Sequence, residues 1–120
     1  MRNDKENLIV NKTFDFALQI IEFSEMFFEQ KRFSLANQIF KSGTSIGANV
    51  RESQNAESKA DFIHKMKISA KEADEVEYWL LLCKHSKYLT SPNEEMFDDL
   101  KAIQLILSKI ISTSKSELSN

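Results

Sequence analysis

The sequence predicts an all-α protein folded as one domain over residues 1–120, and composition and periodicity carry that prediction. Two glycines and one proline in 120 residues leave few positions for the turns of a β-protein, since both residues are several times commoner on average. Apolar residues recur at helical spacing in successive segments that polar breaks separate. We expect four helices, at about 13–30, 34–56, 58–89 and 91–114, between frayed polar ends at 1–7 and 112–120.

The first helix carries two apolar stripes. Thr13 is the candidate N-cap of a helix that runs to about Gln30. The stripe that we assign to the bundle core comprises Phe14, Ala17, Leu18, Ile21, Ser24 and Phe28. A second stripe on a neighbouring face comprises Phe16, Ile20, Phe23 and Phe27. Because this second stripe is too much aromatic surface for a monomer to expose, we interpret it as an oligomer interface. A wide core stripe in a monomeric bundle is the alternative.

The second helix contains both glycines, in the stretch KSGTSIGANVRESQN at 41–55, and Ser34 is its candidate N-cap. A glycine pair can cradle a phosphate, break a helix or allow close packing. A phosphate loop needs a preceding strand and a Gly-Lys-Ser/Thr ending, and neither is found here. The apolar spacing keeps its phase through Gly43 and Gly47, although two interior glycines cost about 2 kcal/mol in helix propensity. We therefore predict that a neighbouring helix packs closely against this backbone.

The third and fourth helices begin at recognisable cap sequences. Ser58, followed three residues later by Asp61, resembles a capping box. Ser91 is the candidate cap of the fourth helix, with Pro92 at the first helical position, where its missing N–H costs nothing. The run YWLLLC at 78–83 is apolar on all sides of the third helix. That run predicts burial on more than one side and adds to the expectation of self-association.

Charge and cysteine content narrow the possible settings. Sixteen basic and eighteen acidic side chains give a net charge of −2, so no overall field attracts nucleic acid or an anionic membrane. Cys83 is the only cysteine, which excludes a disulfide within the chain and suits a reducing cytoplasm. The polar N-terminus lacks the apolar core of a signal peptide, and no apolar run is long enough to span a bilayer. We expect a cytoplasmic protein without a membrane partner.

No pattern predicts catalysis, a cofactor, a metal centre or a small-molecule substrate. A carboxylate-bridged di-iron bundle is the remote enzymatic alternative, and it needs two Glu-x-x-His motifs on separate helices. Asp61 and His64 match that spacing once, whereas His85 has Leu82 in place of the carboxylate. The other polar residues of helices two and three are interpreted as structural contacts, and they are Asn49, Glu52, Glu72, Glu75 and Glu77.

Three stretches resemble the family of four-helix-bundle proteins encoded by intervening sequences in bacterial 23S ribosomal RNA genes. They are SGTSIGANVRE at 42–52, SKADFIHK at 58–65 and ADEVEYWL at 73–80, and the resemblance covers roughly 33–89. It implies an antiparallel up-down-up-down bundle that assembles into a homopentameric ring. A related branch comprises basic accessory proteins of diversity-generating retroelements, which bind nucleic acid. The residues assigned to helix packing and the family signature are Gly43, Ser45, Gly47, Asn49, Glu52, Glu75 and Trp79.

Basic residues are the remaining candidates for partner contacts. Those that can form a patch on an assembled ring are Lys31, Arg32, Arg51, Lys59, Lys65, Lys67 and Lys71. The structural alternative is that Lys65 pairs with Asp61 and Lys71 with Glu75 on a solvated face. We expect a non-enzymatic, homo-oligomeric scaffold or adaptor for RNA or a ribonucleoprotein, as the resemblance suggests. A protein-binding scaffold without nucleic-acid contact is the alternative.

Overall fold

The computed structural model describes residues 4–119 of the chain, with side chains from 8 to 118. Within that range the chain forms four α-helices and no strand, so the all-α prediction is confirmed. The helices are α1 (Asp4–Glu29), α2 (Phe33–Ser53), α3 (Lys59–His85) and α4 (Glu94–Ser119). The ends that we predict to be frayed are helical from Asp4 and up to Ser119, and the predictions for residues 1–3 and 120 lie outside the described residues.

Each helix buries one stripe whose residues are spaced three and four apart. The stripe of α4 shows the alternation clearly and comprises Met96, Leu100, Ile103, Leu107, Ile110 and Ser114. This seven-residue repeat is typical of helices that interlock side chains at a small crossing angle, as in coiled coils and four-helix bundles. The repeat explains why the helices run nearly the length of a rod of 51 × 21 × 20 Å.

The helices pack in chain order, and α4 returns to lie against α1. Among the described residues, α1 makes no close backbone approach to α3, nor α2 to α4. The four helices therefore surround one core, and each occupies a corner. Consequently the outer side formed by α1 and α2 lies opposite the outer side formed by α3 and α4.

The interface stripe that we predict on α1 is in fact the core of the subunit. Phe16, Ile20 and Phe27 are at most 1% exposed, and Phe23 is half-buried with its ring edge-on to Phe27 at 5.2 Å between centroids. These side chains fill the space between the helices, so they are not available to a second copy. The assignment of this stripe to an oligomer interface is wrong.

Three residues of the stripe that we predict as the α1 core face outward instead, whereas Ser24 of that stripe is buried and Phe28 packs partly against the core. Phe14 is 56% exposed, Leu18 52% and Ile21 39%. Positions two apart on a helix differ by about 200°, so these three residues lie nearly opposite Phe16, Ile20 and Phe23. Both stripes are apolar at helical spacing, and the small residues of α2 decide between them by admitting one set of α1 side chains.

Gly43 and Gly47 of α2 leave the space that the α1 side chains occupy. The predicted close packing at these glycines is confirmed. A β-carbon on Gly43 would lie 2.6 Å from Ile20 Cγ1, and one on Gly47 would lie 3.2 Å from the carbonyl oxygen of Thr13. The first distance is a clash and the second is tight, so α1 approaches α2 more closely than any larger residue allows. The helix is unbroken from Phe33 to Ser53, with neither a kink nor a phosphate loop.

The helix starts show where local cap signals mislead. Thr13 lies within α1, where its buried hydroxyl donates to the carbonyl oxygen of Ile9 at 2.8 Å. Ser34 also lies inside its helix, because α2 follows Arg32, whose side chain makes no capping hydrogen bond. Both predicted caps are wrong. The buried Thr13 hydroxyl forms its hydrogen bond within its own helix, so it does not mark a helix start.

The start of α3 is confirmed and that of α4 is shifted. Ser58 accepts a hydrogen bond from the Asp61 backbone N–H at 3.0 Å. For α4 the cap is Asn93, whose Oδ1 accepts from the Met96 N–H at 2.8 Å. The predicted cap, Ser91, donates to the Pro92 carbonyl instead. The asparagine competes successfully because it offers the same capping chemistry two residues nearer to the helix.

Candidate binding surfaces

The outer groove between α2 and α3 gathers most of the polar signature residues. Asn49 and Ser45 lie on α2, and the Asn49 amide donates to the Ser45 carbonyl at 2.8 Å. On α3, the Trp79 indole N–H donates to Glu75 at 3.4 Å, and the Trp79 ring packs partly against the core. These contacts hold the side chains on their own helices.

Glu72 lies in the same groove and has a perturbed acidity. Burial raises the pKa of Glu72, and the neighbouring Glu75 carboxylate raises it further. Lys41 and Lys71 oppose this rise by attraction, and the Ser45 hydroxyl opposes it by hydrogen bonding. The groove therefore holds a carboxylate whose charge depends on side chains from two helices. The sequence indicates a structural role for Glu72. It does not indicate that Lys41 lies near Glu72, because only the tertiary fold brings these two side chains together.

Two of the predicted basic contacts are engaged in ion pairs between helices. Lys59 pairs with Glu117 of α4 at 3.0 Å, and Lys65 pairs with Glu52 of α2 at 3.2 Å. Lys65 does form a surface ion pair, but its partner is Glu52 and not Asp61 as the structural alternative predicts. Because these partners lie on opposite flanks of α3, the two lysines point to different sides of the bundle.

The basic residues do not form one patch on a subunit. Lys31 and Arg32 lie in the turn after α1, where the Arg32 guanidinium donates to the Tyr88 carbonyl oxygen beyond the end of α3. Lys59 is at the opposite end of α3, and a helix of that length spans about 40 Å. The predicted basic residues are therefore dispersed within the subunit, since Lys31 and Arg32 lie about one helix length away from Lys59.

One basic cluster does form, between α3 and α4. Lys67 lies close enough to Lys115 to lower the pKa of Lys115, through a hydrogen bond and charge repulsion between the two amines. Lys115 lines an outer groove of about 500 Å³ together with Ser108, Ser112 and other α3 and α4 side chains. Lys115 was missed by sequence reasoning, because it falls in the segment that we predict to be frayed.

Exposed apolar side chains form two further surfaces. The first, which we call the α1–α2 face, comprises Phe14, Leu18, Ile21, Phe33 and Phe40. The second, which we call the α3–α4 face, comprises Tyr78, Leu81 and Leu105. Of the apolar run in α3, Leu80 and Cys83 are buried while its other side is open. Burial on more than one side is therefore not reached within a single subunit.

Ligands for a metal ion are not brought together in the described part of the chain. No group of three or more histidine, cysteine, aspartate or glutamate side chains lies close enough there to hold an ion. Burial raises the pKa of the Cys83 thiol to about 11, so the thiol stays protonated near neutral pH and is a poor ligand. Within residues 4–119, no helix has the length and apolar character needed to cross a bilayer.

Two comparisons place these features beside known proteins. The profile of the family described as 23S rRNA-intervening sequence protein matches residues 5–112. A crystal structure of a protein of unknown function from the S23 ribosomal protein family of Bacteroides thetaiotaomicron VPI-5482 is 43% identical, with a TM-score of 0.84. The similar region covers 90% of this chain and 98% of that one. No curated protein matches.

Proposed function

Because this chain belongs to the family of 23S rRNA-intervening sequence proteins, we propose that it is a non-enzymatic bundle that assembles with its own copies as a scaffold or adaptor. The proposed assembly is a ring of five copies, each with an antiparallel up-down-up-down path. Contacts of Ile20 with Gly43 and of Thr13 with Gly47 support that path, since residue numbers rise on α1 while they fall on α2. The single cysteine, which cannot form a disulfide within the chain, suits the cytoplasmic setting that we propose.

The exposed α1–α2 face is the observation that carries the proposal. Phe14, Leu18 and Phe33 are each more than half exposed, and Ile21 and Phe40 about two-fifths. Burying apolar surface is worth about 25 cal/mol per Å², so several large exposed side chains on the same pair of helices favour association. The residues that fill the subunit core are different ones, so the core does not compete with this face for the same side chains.

Sedimentation equilibrium of the purified chain at micromolar concentration tests the proposal. We expect a mass several times that of the 13.9 kDa chain, with five copies as the predicted number. A mass of one chain across the concentration range would rule out self-assembly. Leu18→Arg should lower the mass, because a charge replaces the centre of the apolar face. Tyr88→Glu, at an exposed loop position outside both faces, is the matched control and should keep the mass.

Binding of RNA is a second candidate, favoured by the Lys67 and Lys115 pair on α3 and α4. The two amines place positive charge beside a groove that Asp74 also lines, and a ring would repeat the pair in every copy. An electrophoretic shift with a structured RNA, repeated at rising salt, tests this reading. Phosphate contacts must weaken steeply with salt, and Lys67→Glu should abolish the shift. A missing shift at low salt would leave the protein-binding scaffold as the favoured reading.

A further inference from the structure

We propose that the outer groove between α3 and α4 binds a small phosphomonoester, whose phosphate group lies between the amines of Lys67 and Lys115. The groove has a volume of about 500 Å³, which is within the usual range for small-molecule sites. The side chains of one subunit form the whole site, so the proposal goes beyond self-assembly and does not depend on it.

Small side chains open the groove at its basic end. Ser108, Ser112 and Lys115 line the groove from α4, and their spacings of four and three residues place them along one side of that helix. On α3, Ala70 lines the groove three residues after Lys67 and has no side chain beyond its β-carbon. A ligand can therefore reach between the two helices beside both amines.

The two serine hydroxyls of α4 add hydrogen-bond donors to the groove. In the part of the chain whose side chains are described, neither Ser108 nor Ser112 has a hydrogen-bond partner. Many other hydroxyls of this bundle donate to their own helix, as Ser42 does to the Gln38 carbonyl oxygen at 2.6 Å. The hydroxyls of Ser108 and Ser112 are thus available to donate to the oxygens of a ligand.

The contact between the two amines is the main argument for an anion. Lys67 on α3 forms a hydrogen bond with Lys115 on α4, and this bond and the repulsion between the amines lower the pKa of Lys115. An ammonium group has no lone pair, so one amine has to release a proton before it can accept a hydrogen bond from the other. An anion between the amines removes this conflict, because both ammonium groups then donate to its oxygens.

The number of positive charges indicates the class of anion. Two ammonium groups balance about two negative charges, which is the charge that a phosphomonoester carries near neutral pH. A phosphodiester carries only one charge on each phosphate group. The paired amines therefore match a terminal phosphate better than a phosphate of a nucleic-acid backbone.

Carboxylates limit how far an anionic ligand can extend along the groove. The Gln104 amide donates to Asp74 at 3.2 Å and to Glu77 at 3.4 Å, and Asp74 lines the groove. Asp74 follows Lys67 by seven residues, which is about 10 Å along α3. A chain of phosphates that follows the groove would bring negative charge against these carboxylates, so the groove favours a compact ligand with a single phosphate group.

Titration of the full chain with phenyl phosphate, followed by NMR, tests the proposal. We expect the backbone amide signals of Ser108, Ser112 and Lys115 to shift and to saturate, and the pKa of Lys115 to rise in the complex. Dimethyl phosphate, a diester with one charge, should bind about tenfold more weakly, because it loses a charge-assisted hydrogen bond. Shifts that do not saturate, or equal affinities for the two compounds, would overturn the proposal.

Lysine variants assign the binding to this groove. Lys67→Met and Lys115→Met should each weaken the binding of phenyl phosphate about tenfold, because each removes one charged donor and keeps an apolar stem. Lys87→Met is the matched control, at an exposed position beyond the opposite end of α3, and should keep the wild-type affinity. All three positions are exposed, and circular dichroism verifies the fold of each variant.

Equal weakening in all three variants would show that only the overall charge matters, and it would remove the site. The mass of the assembly is a separate measurement. A monomeric chain that binds phenyl phosphate would remove the proposed assembly and keep this inference, whereas an assembled chain without saturable binding would do the reverse.

Discussion

Gly43 of α2 lies directly against Ile20 of α1, where a β-carbon at position 43 would be 2.6 Å from Ile20 Cγ1. No real β-carbon contact is that short, so the absence of a side chain at position 43 sets how closely the two helices pack. The same contact turns Ile20, Phe16 and Phe27 inward and leaves Phe14, Leu18 and Ile21 outside. The small size of Gly43 is therefore matched to the α1 side chains that fill the core, whereas Phe14, Leu18 and Ile21 stay exposed.

Gly43→Ala is expected to lower the free energy of unfolding by about 1 kcal/mol. Overpacking of a core costs about 1–3 kcal/mol, and the better helix propensity of alanine returns about 1 kcal/mol. Urea unfolding, followed by circular dichroism at one fixed protein concentration, measures the change. Gly47→Ala should cost less, because its β-carbon would meet Thr13 at 3.2 Å and not at 2.6 Å.

A double-mutant cycle tests the same contact directly. In the Gly43→Ala background, Ile20→Ala should destabilise the protein less than it does in the wild type, because the new methyl group occupies part of the space that Ile20 vacates. We expect a coupling energy of about 1 kcal/mol or more between these two positions. Strict additivity would show that Ile20 and position 43 do not compete for space.

Ser69→Ala is expected to cost about 1 kcal/mol of stability. The buried Ser69 hydroxyl of α3 donates to the Ile46 carbonyl oxygen of α2 at 2.8 Å, so its loss removes a hydrogen bond between two helices. Thermal unfolding by calorimetry measures the loss. Ser108→Ala, at an exposed position on α4, is the control and should stay within about 0.5 kcal/mol of the wild type.

Asn93→Ala is expected to destabilise the protein by about 1 kcal/mol, because it removes the side-chain acceptor for the Met96 N–H at the start of α4. Ser91→Ala should have almost no effect, since its hydroxyl makes no capping bond to the helix. Guanidinium unfolding of the two variants side by side compares them. A larger loss of stability for Ser91→Ala than for Asn93→Ala would show that Ser91 is the N-cap of α4, as the sequence predicts.

Lys31→Gly is expected to raise stability by about 0.5 kcal/mol. Lys31 has φ of 62°, and the turn closes with hydrogen bonds from Arg32 N–H to the Phe27 carbonyl and from Lys31 N–H to the Phe28 carbonyl. Glycine adopts this conformation without steric cost, although it adds entropy to the unfolded chain. Lys41→Gly, inside α2, is the control and should lower stability by about 1 kcal/mol.

The pKa of Glu72 is expected to respond to its neighbours in opposite directions. Glu75→Gln should lower the pKa of Glu72, because it removes a like charge, and Lys41→Ala should raise it, because it removes an attractive charge. Carbon-13 NMR titration of the Glu72 carboxyl measures both changes. Equal shifts in the two variants would show that charge does not control this group.

The raised pKa of Glu72 also sets the sign of a pH dependence. The folded chain holds the proton more tightly than the unfolded chain does, so this group favours folding below its ordinary pKa of 4.5. That contribution is lost as the pH rises through the folded value. In the wild type, this group should make the protein less stable as the pH rises above 4.5. In Glu72→Gln this decrease should be absent, as measured by unfolding at a series of pH values.

Local signals in the sequence were sufficient for α3 and insufficient for α1. Ser58 caps α3 as predicted, because its partner N–H is three residues away and the whole motif is local. The start of α1 was misplaced at Thr13, because no turn residue there marks an end and the helix continues towards the N-terminus. Thr13 is buried within α1, and its hydroxyl donates to the Ile9 carbonyl oxygen of the same helix and caps nothing.

The sequence by itself determined that this chain is helical, that its helices have apolar faces at helical spacing, and that Gly43 and Gly47 need a close neighbour. These properties follow from composition and from spacing along one helix. Only the tertiary structure decided which apolar side chains of α1 face the core, and that Lys31 and Lys59 lie at opposite ends of the rod. Those outcomes depend on contacts between residues far apart in the chain, such as Ile20 with Gly43, and periodicity within a single helix carries no information about them.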